Sequence, residues 1–168
     1  MRDEYKGSLD DVIKAHLDKQ SIPVVVALMN LTSDFNKSSA LRNANNFGVR
    51  NVVFVGGKKW DRRGAVGAHN YMNIYHAASI LELTAMFPGY TLVGIEQTES
   101  SVKINRHLWQ AGTIMLFGEE QNGLSDEALA MCDAIVEIPS MGSVRSINVA
   151  SACGIALYDY CLYMGSLL

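Results

Sequence analysis

The 168-residue sequence has no apolar run approaching the roughly 18 consecutive residues that a membrane helix needs, so a helical membrane span is excluded. Cysteine is scarce: Cys132, Cys153 and Cys161 form no Cys-x-x-Cys pair. An odd count in apolar surroundings points to reduced core thiols, not to a disulfide framework. The histidines His16, His69, His76 and His107 lack metal-ligand spacing, and no metal site is expected. Basic charge is also short. Fourteen Lys and Arg face 17 Asp and Glu, the net charge is −3 and the pI is about 5.8. Bulk charge therefore does not attract nucleic acid, and any such contact needs a local patch or a second subunit. Repeats, low-complexity tracts, linkers and a secretory signal are absent from the sequence, so it reads as one soluble, cytoplasmic domain over residues 1–168.

What is present is an ordinary globular balance, 49% apolar and 18% charged residues. Ser8-Leu-Asp-Asp11 reads as a helix start followed by Leu9, Val12, Ile13 and Leu17 at helical spacing. Buried strands are predicted at 24–28, 51–55, 91–95, 113–117 and 134–138, with a shorter one at 73–76. Helices are predicted from Ser38 or Ser39 to Phe47, over 79–87, 102–109 and 125–131, and from about Ser146 to Met164. Strands alternate with helices and lack polar alternation, which predicts an α/β fold with a parallel sheet covered on both faces. The last helix is apolar around nearly its whole circumference (Ile147, Ala150, Cys153, Ile155, Leu157, Tyr160, Tyr163). It must therefore be buried, and in so short a chain a subunit interface along it is the expectation.

Three segments follow predicted strands, where open α/β sheets bind ligands. The first runs from Asn36 through Arg42 to Phe47-Gly48. By themselves, Asn36 reads as a cap and Arg42 as a solvated or phosphate-holding cation. The second, Phe117-Gly118-Glu119-Glu120-Gln-Asn-Gly123-Leu-Ser125, orders glycine, acid, glycine and cap within a few residues. A glycine directly after a strand lets a ligand approach the backbone. The third is Ile138-Pro-Ser-Met-Gly-Ser-Val-Arg-Ser146-Ile147-Asn148-Val-Ala-Ser151. Ser146 reads as an N-cap, and Asn148 as an amide inside an apolar helix that needs partners. A separate loop carries Lys58, Lys59, Arg62 and Arg63 around Trp60. It offers phosphate contacts and an aromatic for stacking, or merely a solvated charge run. Gly64-Ala-Val-Gly67 lacks the dinucleotide fingerprint.

These three segments, in this order, resemble the motifs of the SPOUT superfamily, in its TrmH/SpoU branch of RNA 2′-O-ribose methyltransferases, over about residues 24–160. The resemblance implies a Rossmann-like sheet with a deep C-terminal trefoil knot over about 113–164. It implies S-adenosylmethionine bound bent against Ile95, Glu96, Gly118, Ile138, Ser146 and Ile147, and a homodimer packed through the last helix. It assigns Arg42, Asn36, Glu120, Ser146 and Asn148 to catalysis on RNA, tRNA or rRNA. Arginine, with a pKa above 12, is better suited to orienting and stabilising the forming alkoxide than to acting as base. A non-catalytic RNA- or cofactor-binding subunit is the alternative, and methylation of a small molecule or protein is a third. The basic loop at 58–63 favours RNA.

Overall fold

Short β-branched runs need both faces covered, and here they form one seven-stranded, wholly parallel sheet. The structure, a computed structural model, describes residues 3–57, 60–144 and 146–166. In chain order the strands are β1 (Val24–Met29), β2 (Asn51–Val55), β3 (Asn73–Ala77), β4 (Thr91–Ile95), β5 (Val102–Lys103), β6 (Thr113–Phe117) and β7 (Ala134–Glu137). The helices are α1 (Asp10–Lys19), α2 (Asp34–Asn46), α3 (Ile80–Met86), α4 (Asp126–Ala130) and α5 (Val149–Tyr163). The sheet order is β3-β2-β1-β6-β4-β7-β5, so β1 and β6 lie at its centre.

Alternation along the central strands divides the core into two layers. Val24, Val26 and Leu28 join Phe54, Met115 and Phe117 beneath α2 and α5, which contribute Leu41, Cys153, Leu157 and Tyr160. Val25 and Ala27 join Val53, Ile114 and Leu116 on the other face, with Leu83 of α3 and Ala128 of α4. Every side chain of β6 and all but Met29 of β1 are therefore buried, which explains the continuous apolar runs. No helix of the described residues is long and apolar enough to cross a membrane.

Four elements differ from what the sequence predicts. Ser8 does not cap α1; Leu9 occupies the cap position without a side-chain bond, and Ile13 is buried while Leu9 and Val12 are exposed. Helix α2 begins at Asp34, one turn before Ser38, because the Ser33 hydroxyl accepts the Asn36 N–H at 3.3 Å. Asn36 is thus a first-turn residue and not the cap. Residues 102–109 are not a helix: Val102 and Lys103 pair with β7, and a short 3-10 turn over Ile104–Arg106 follows. Its apolar anchors, Ile104 and Trp109, are buried five positions apart, a spacing that does not make a helical face. Finally, α5 begins at Val149 with Asn148 as its cap, whose Oδ1 accepts the N–H groups of Ala150 at 2.9 Å and Ser151 at 3.3 Å. Ser146 lies outside the helix, and Asn148 stands at its end, not in its interior.

Candidate cofactor and acceptor site

The carboxyl ends of β4, β6 and β7 open into a cavity of about 770 Å³. Its walls come from the turns after each strand and from the segment entering α5. Ile95, Glu96, Gly118, Ile138, Ser146 and Ile147 all line it, and so do Asn36, Glu120 and Asn148. Sequence-distant residues converge here because the central strands end at the same level.

The second turn is held tightly. Glu119 and Gly123 exchange backbone hydrogen bonds of 3.2 and 3.0 Å. A Cβ on Gly118 would lie 2.2 Å from the Gly123 carbonyl carbon, so only glycine fits there. Gly123 has φ +67, and a Cβ there would sit 2.1 Å from Glu96 Oε2. That carboxylate accepts the Leu124 N–H at 3.0 Å through Oε2 and the Gln97 N–H at 3.0 Å through Oε1. Glu96 therefore ties the end of β4 to the turn after β6. The Gln97 amide in turn donates to the Ile138 carbonyl at 2.9 Å, linking β4 to β7.

At the mouth, Asn36 joins the other two motifs. Its Nδ2 donates to Glu120 Oε1 at 3.0 Å, and its Oδ1 accepts from Asn148 Nδ2 at 2.8 Å. Glu120 also accepts the Ser33 N–H at 3.2 Å and, more weakly, the Thr32 N–H and hydroxyl at 3.4 Å. Burial works to raise the Glu120 carboxyl. The hydrogen bonds from Asn36, its own backbone, Thr32 and Ser33 outweigh it and hold the group below its ordinary value. Glu120 is thus an ionised clamp on α2.

Arg42 is elsewhere. Six residues beyond Asn36 on α2, it lines a separate cavity of about 950 Å³ toward α1. It is exposed, with no hydrogen bond or ion pair to the described residues. The basic loop also changes character. Lys58 and Lys59 lie outside the described residues, as does the side chain of Arg62. Trp60 packs on Phe54 with ring centroids 5.4 Å apart and against His69 at 6.2 Å, so it is partly committed to the core. The Arg63 guanidinium is paired with Asp61, whose carboxyl this partner lowers to about 2.

Thr32, Ser33, Gln97 and Asn43 were not singled out from sequence. The Asn43 amide donates to the Ala150 carbonyl at 2.7 Å and fastens α2 to α5. The polar stretch after β1 was the signal available for Thr32 and Ser33; an isolated glutamine or asparagine offered none.

The donor set decides which cofactor fits. Three carboxylates, Glu96, Glu119 and Glu120, line the 770 Å³ cavity, and its described lining holds no Lys, Arg or His. That charge opposes a pyrophosphate and favours a cationic ligand. Apolar surface from Ile95, Phe117, Ile138 and Ile147 lies beside backbone polar groups, which suits an adenine. The residues fit S-adenosylmethionine, which carries a sulfonium, an ammonium and an adenine.

A parallel α/β sheet with an acidic, glycine-cradled cavity at its strand ends defines a cofactor-binding protein of the open-sheet class. The chain belongs to the SpoU rRNA methylase family, whose sequence profile matches residues 23–158. It is 27% identical over 152 residues to the tRNA (guanosine(18)-2′-O)-methyltransferase of Thermus thermophilus, covering 88% of this chain and 78% of that protein. It is 28% identical over 165 residues to the 23S rRNA (guanosine-2′-O-)-methyltransferase RlmB of Coxiella burnetii, covering 94% of this chain and 66% of that enzyme. The A. aeolicus TrmH/SpoU tRNA modifying enzyme shares the fold, with a TM-score of 0.80, 22% identity and coverage of 93% of this chain and 86% of that one. AviRb from Streptomyces viridochromogenes, in complex with AdoMet, matches with a TM-score of 0.75 and 26% identity over 84% of this chain and 60% of its own.

Proposed function

We propose that this chain transfers a methyl group from S-adenosylmethionine to a ribose 2′-hydroxyl of RNA, either tRNA or rRNA. The observation that carries the reading is the bonded cluster Asn36–Glu120–Asn148 at the mouth of an acidic, backbone-walled cavity. Membership of the SpoU family and relatives named as tRNA and rRNA 2′-O-methyltransferases support it.

Bound S-adenosylmethionine supplies a methyl group already activated by its sulfonium. The chain supplies alignment, which is where most of the rate arises for such a donor. Gly118 and the turn it closes let the backbone approach the cofactor, while Glu96 and Gln97 hold the three turns in register. Glu120 fixes the amide of Asn36, and Asn36 fixes that of Asn148, so polar atoms face the acceptor ribose in one orientation. Ser146 lines the same wall. Arg42, whose guanidinium stays protonated, orients the ribose and stabilises the forming alkoxide, and the 2′-hydroxyl proton leaves to another acceptor.

Arg42 reaches this chemistry from a second subunit. Asn36 and Arg42 lie on the same helix but line different cavities, which supports a site completed in trans. The outer face of α5 exposes Ile155, Tyr158, Leu162 and Tyr163, an apolar surface suited to a homodimer. We also read the β6–α5 region as the family's trefoil knot within a single domain of residues 1–168, and the protein as cytoplasmic, in keeping with its free thiols.

The test is incubation with methyl-labelled S-adenosylmethionine and purified tRNA or rRNA, followed by nucleoside mapping. A labelled 2′-O-methyl nucleoside is expected; absence from both RNA classes would leave a non-catalytic binding subunit. Arg42→Ala should lower turnover far more than cofactor affinity.

A further inference from the structure

The three carboxylates around the cofactor cavity are not equally occupied. Both oxygens of Glu96 accept backbone N–H groups, from Gln97 and from Leu124. Both oxygens of Glu120 are taken by Asn36, Ser33 and Thr32. Glu119 differs. Its Oε1 accepts the Asn122 amide at 3.1 Å, and its Oε2 has no partner among the described residues. The paired backbone bonds between Glu119 and Gly123 fix the turn that carries this carboxylate. Glu119 is half-buried, Asn122 is exposed, and both line the cavity. An acid with an oxygen to spare therefore stands at the solvent edge of the cavity, beside an amide.

The walls of the cavity also divide by chemistry. Ile95, Phe117, Ile138 and Ile147 are apolar, whereas the turn Glu119-Glu-Gln-Asn122 is wholly polar. S-adenosylmethionine has the same division, with a flat adenine at one end and a zwitterionic amino acid at the other. Its sulfonium carries charge but no N–H, so it cannot donate a hydrogen bond to a free carboxylate oxygen. Its α-ammonium can, and a charge-assisted bond of that kind is about twice as strong as a neutral one. The Asn122 amide has one N–H engaged by Glu119 and a second to give, which suits the adjacent α-carboxylate.

We propose that Glu119 and Asn122 form the subsite for the amino-acid tail of the cofactor, Glu119 taking the α-ammonium and Asn122 the α-carboxylate. The inference rests on the S-adenosylmethionine reading above and deepens it. It assigns the amino-acid end of the cofactor to the turn after β6 and the adenine to the isoleucine wall. Neighbouring acids then serve the two sides of the site: Glu119 holds the methyl donor, and Glu120 holds Asn36 at the acceptor side.

Calorimetry on the full-length protein with three ligands tests this: S-adenosylmethionine, S-adenosylhomocysteine and 5′-methylthioadenosine. The third keeps the adenosine and the thioether and lacks the amino acid. Glu119→Gln removes the charge while keeping the size of the side chain and an oxygen for Asn122. It should weaken S-adenosylmethionine and S-adenosylhomocysteine about tenfold each, and leave 5′-methylthioadenosine unchanged. Asn122→Ala should weaken the same two ligands several-fold, again sparing the third. A loss shared by all three ligands would mean a distorted turn, and would overturn the assignment. So would a loss confined to S-adenosylmethionine, because Glu119 would then answer the sulfonium, and so would affinities that do not change in either variant. Wild-type protein that binds neither amino-acid ligand would overturn the cofactor reading itself, so the two fail separately.

Discussion

Asn148 Nδ2 donates to Asn36 Oδ1 at 2.8 Å, joining residues 112 positions apart in the chain. The same Asn148 side chain caps α5 through its oxygen, so one amide both starts the helix and orients the site. Asn148→Ala should therefore cost stability from the lost cap, about 1 kcal/mol, together with turnover. Asn148→Ser should recover most of the stability, since serine caps well, but not the turnover, because it cannot reach Asn36. Urea unfolding and single-turnover methylation on the two variants separate these roles. Equal recovery of both by serine would show that the bridge to Asn36 is dispensable.

Glu120 gives a pH signature. Its folded carboxyl titrates below the ordinary value of 4.5. For a carboxylate with a depressed folded pKa, the stabilisation is complete above the unfolded pKa and is lost as pH falls through the folded one. Wild-type protein should thus lose stability faster than Glu120→Gln as pH drops below about 4.5, and the two curves should run parallel above pH 6. Thermal melts at matched ionic strength check this. The opposite ordering at low pH would mean that the carboxyl is not held by Asn36, Thr32 and Ser33.

Gly118→Ala probes the backbone cradle. The added methyl would meet backbone carbonyl carbon of Gly123 at 2.2 Å, so the turn itself must move. Overpacking of this kind costs about 1–3 kcal/mol, and here the displaced atoms are part of the cofactor wall. Calorimetry with S-adenosylmethionine should show at least a tenfold loss of affinity, a 1.4 kcal/mol effect, in protein that remains folded at 25 °C. Wild-type affinity would place the cofactor away from this turn.

Much of this architecture was legible in the sequence. The buried strands at 51–55, 91–95 and 113–117 stood out because parallel strands under two helical layers carry no polar alternation. The motif turns were legible because glycine beside an acid and a cap is a dense local pattern. What was not legible depends on partners distant in sequence. The start of α2 is set by Ser33 and secured by Glu120, 87 positions away. Residues 102–109 read as helical until β7 supplied a pairing edge for Val102. Trp60 read either as a base-stacking aromatic or as part of a solvated loop, because nothing local reveals that Phe54 lies against it.

The exposed face of α5 yields the last prediction. Ile155, Tyr158 and Leu162 recur at three- and four-residue spacing and are exposed, while Cys153, Ala156, Leu157 and Tyr160 of the same helix are buried against the sheet and α2. An apolar stripe of this kind on a folded surface is costly unless covered. Leu162→Glu leaves the buried face untouched, so the subunit fold should survive with a Tm change confined to what dissociation causes. In a homodimer through α5, the substitution sets two carboxylates near the symmetry axis and should give monomers by light scattering. It should also reduce methyl transfer sharply while leaving S-adenosylmethionine binding within a few-fold, because the cofactor cavity is built from one chain and Arg42 is expected from the other. A monomeric Leu162→Glu protein with full activity would refute the shared site; a wild-type protein that is already monomeric would refute the dimer.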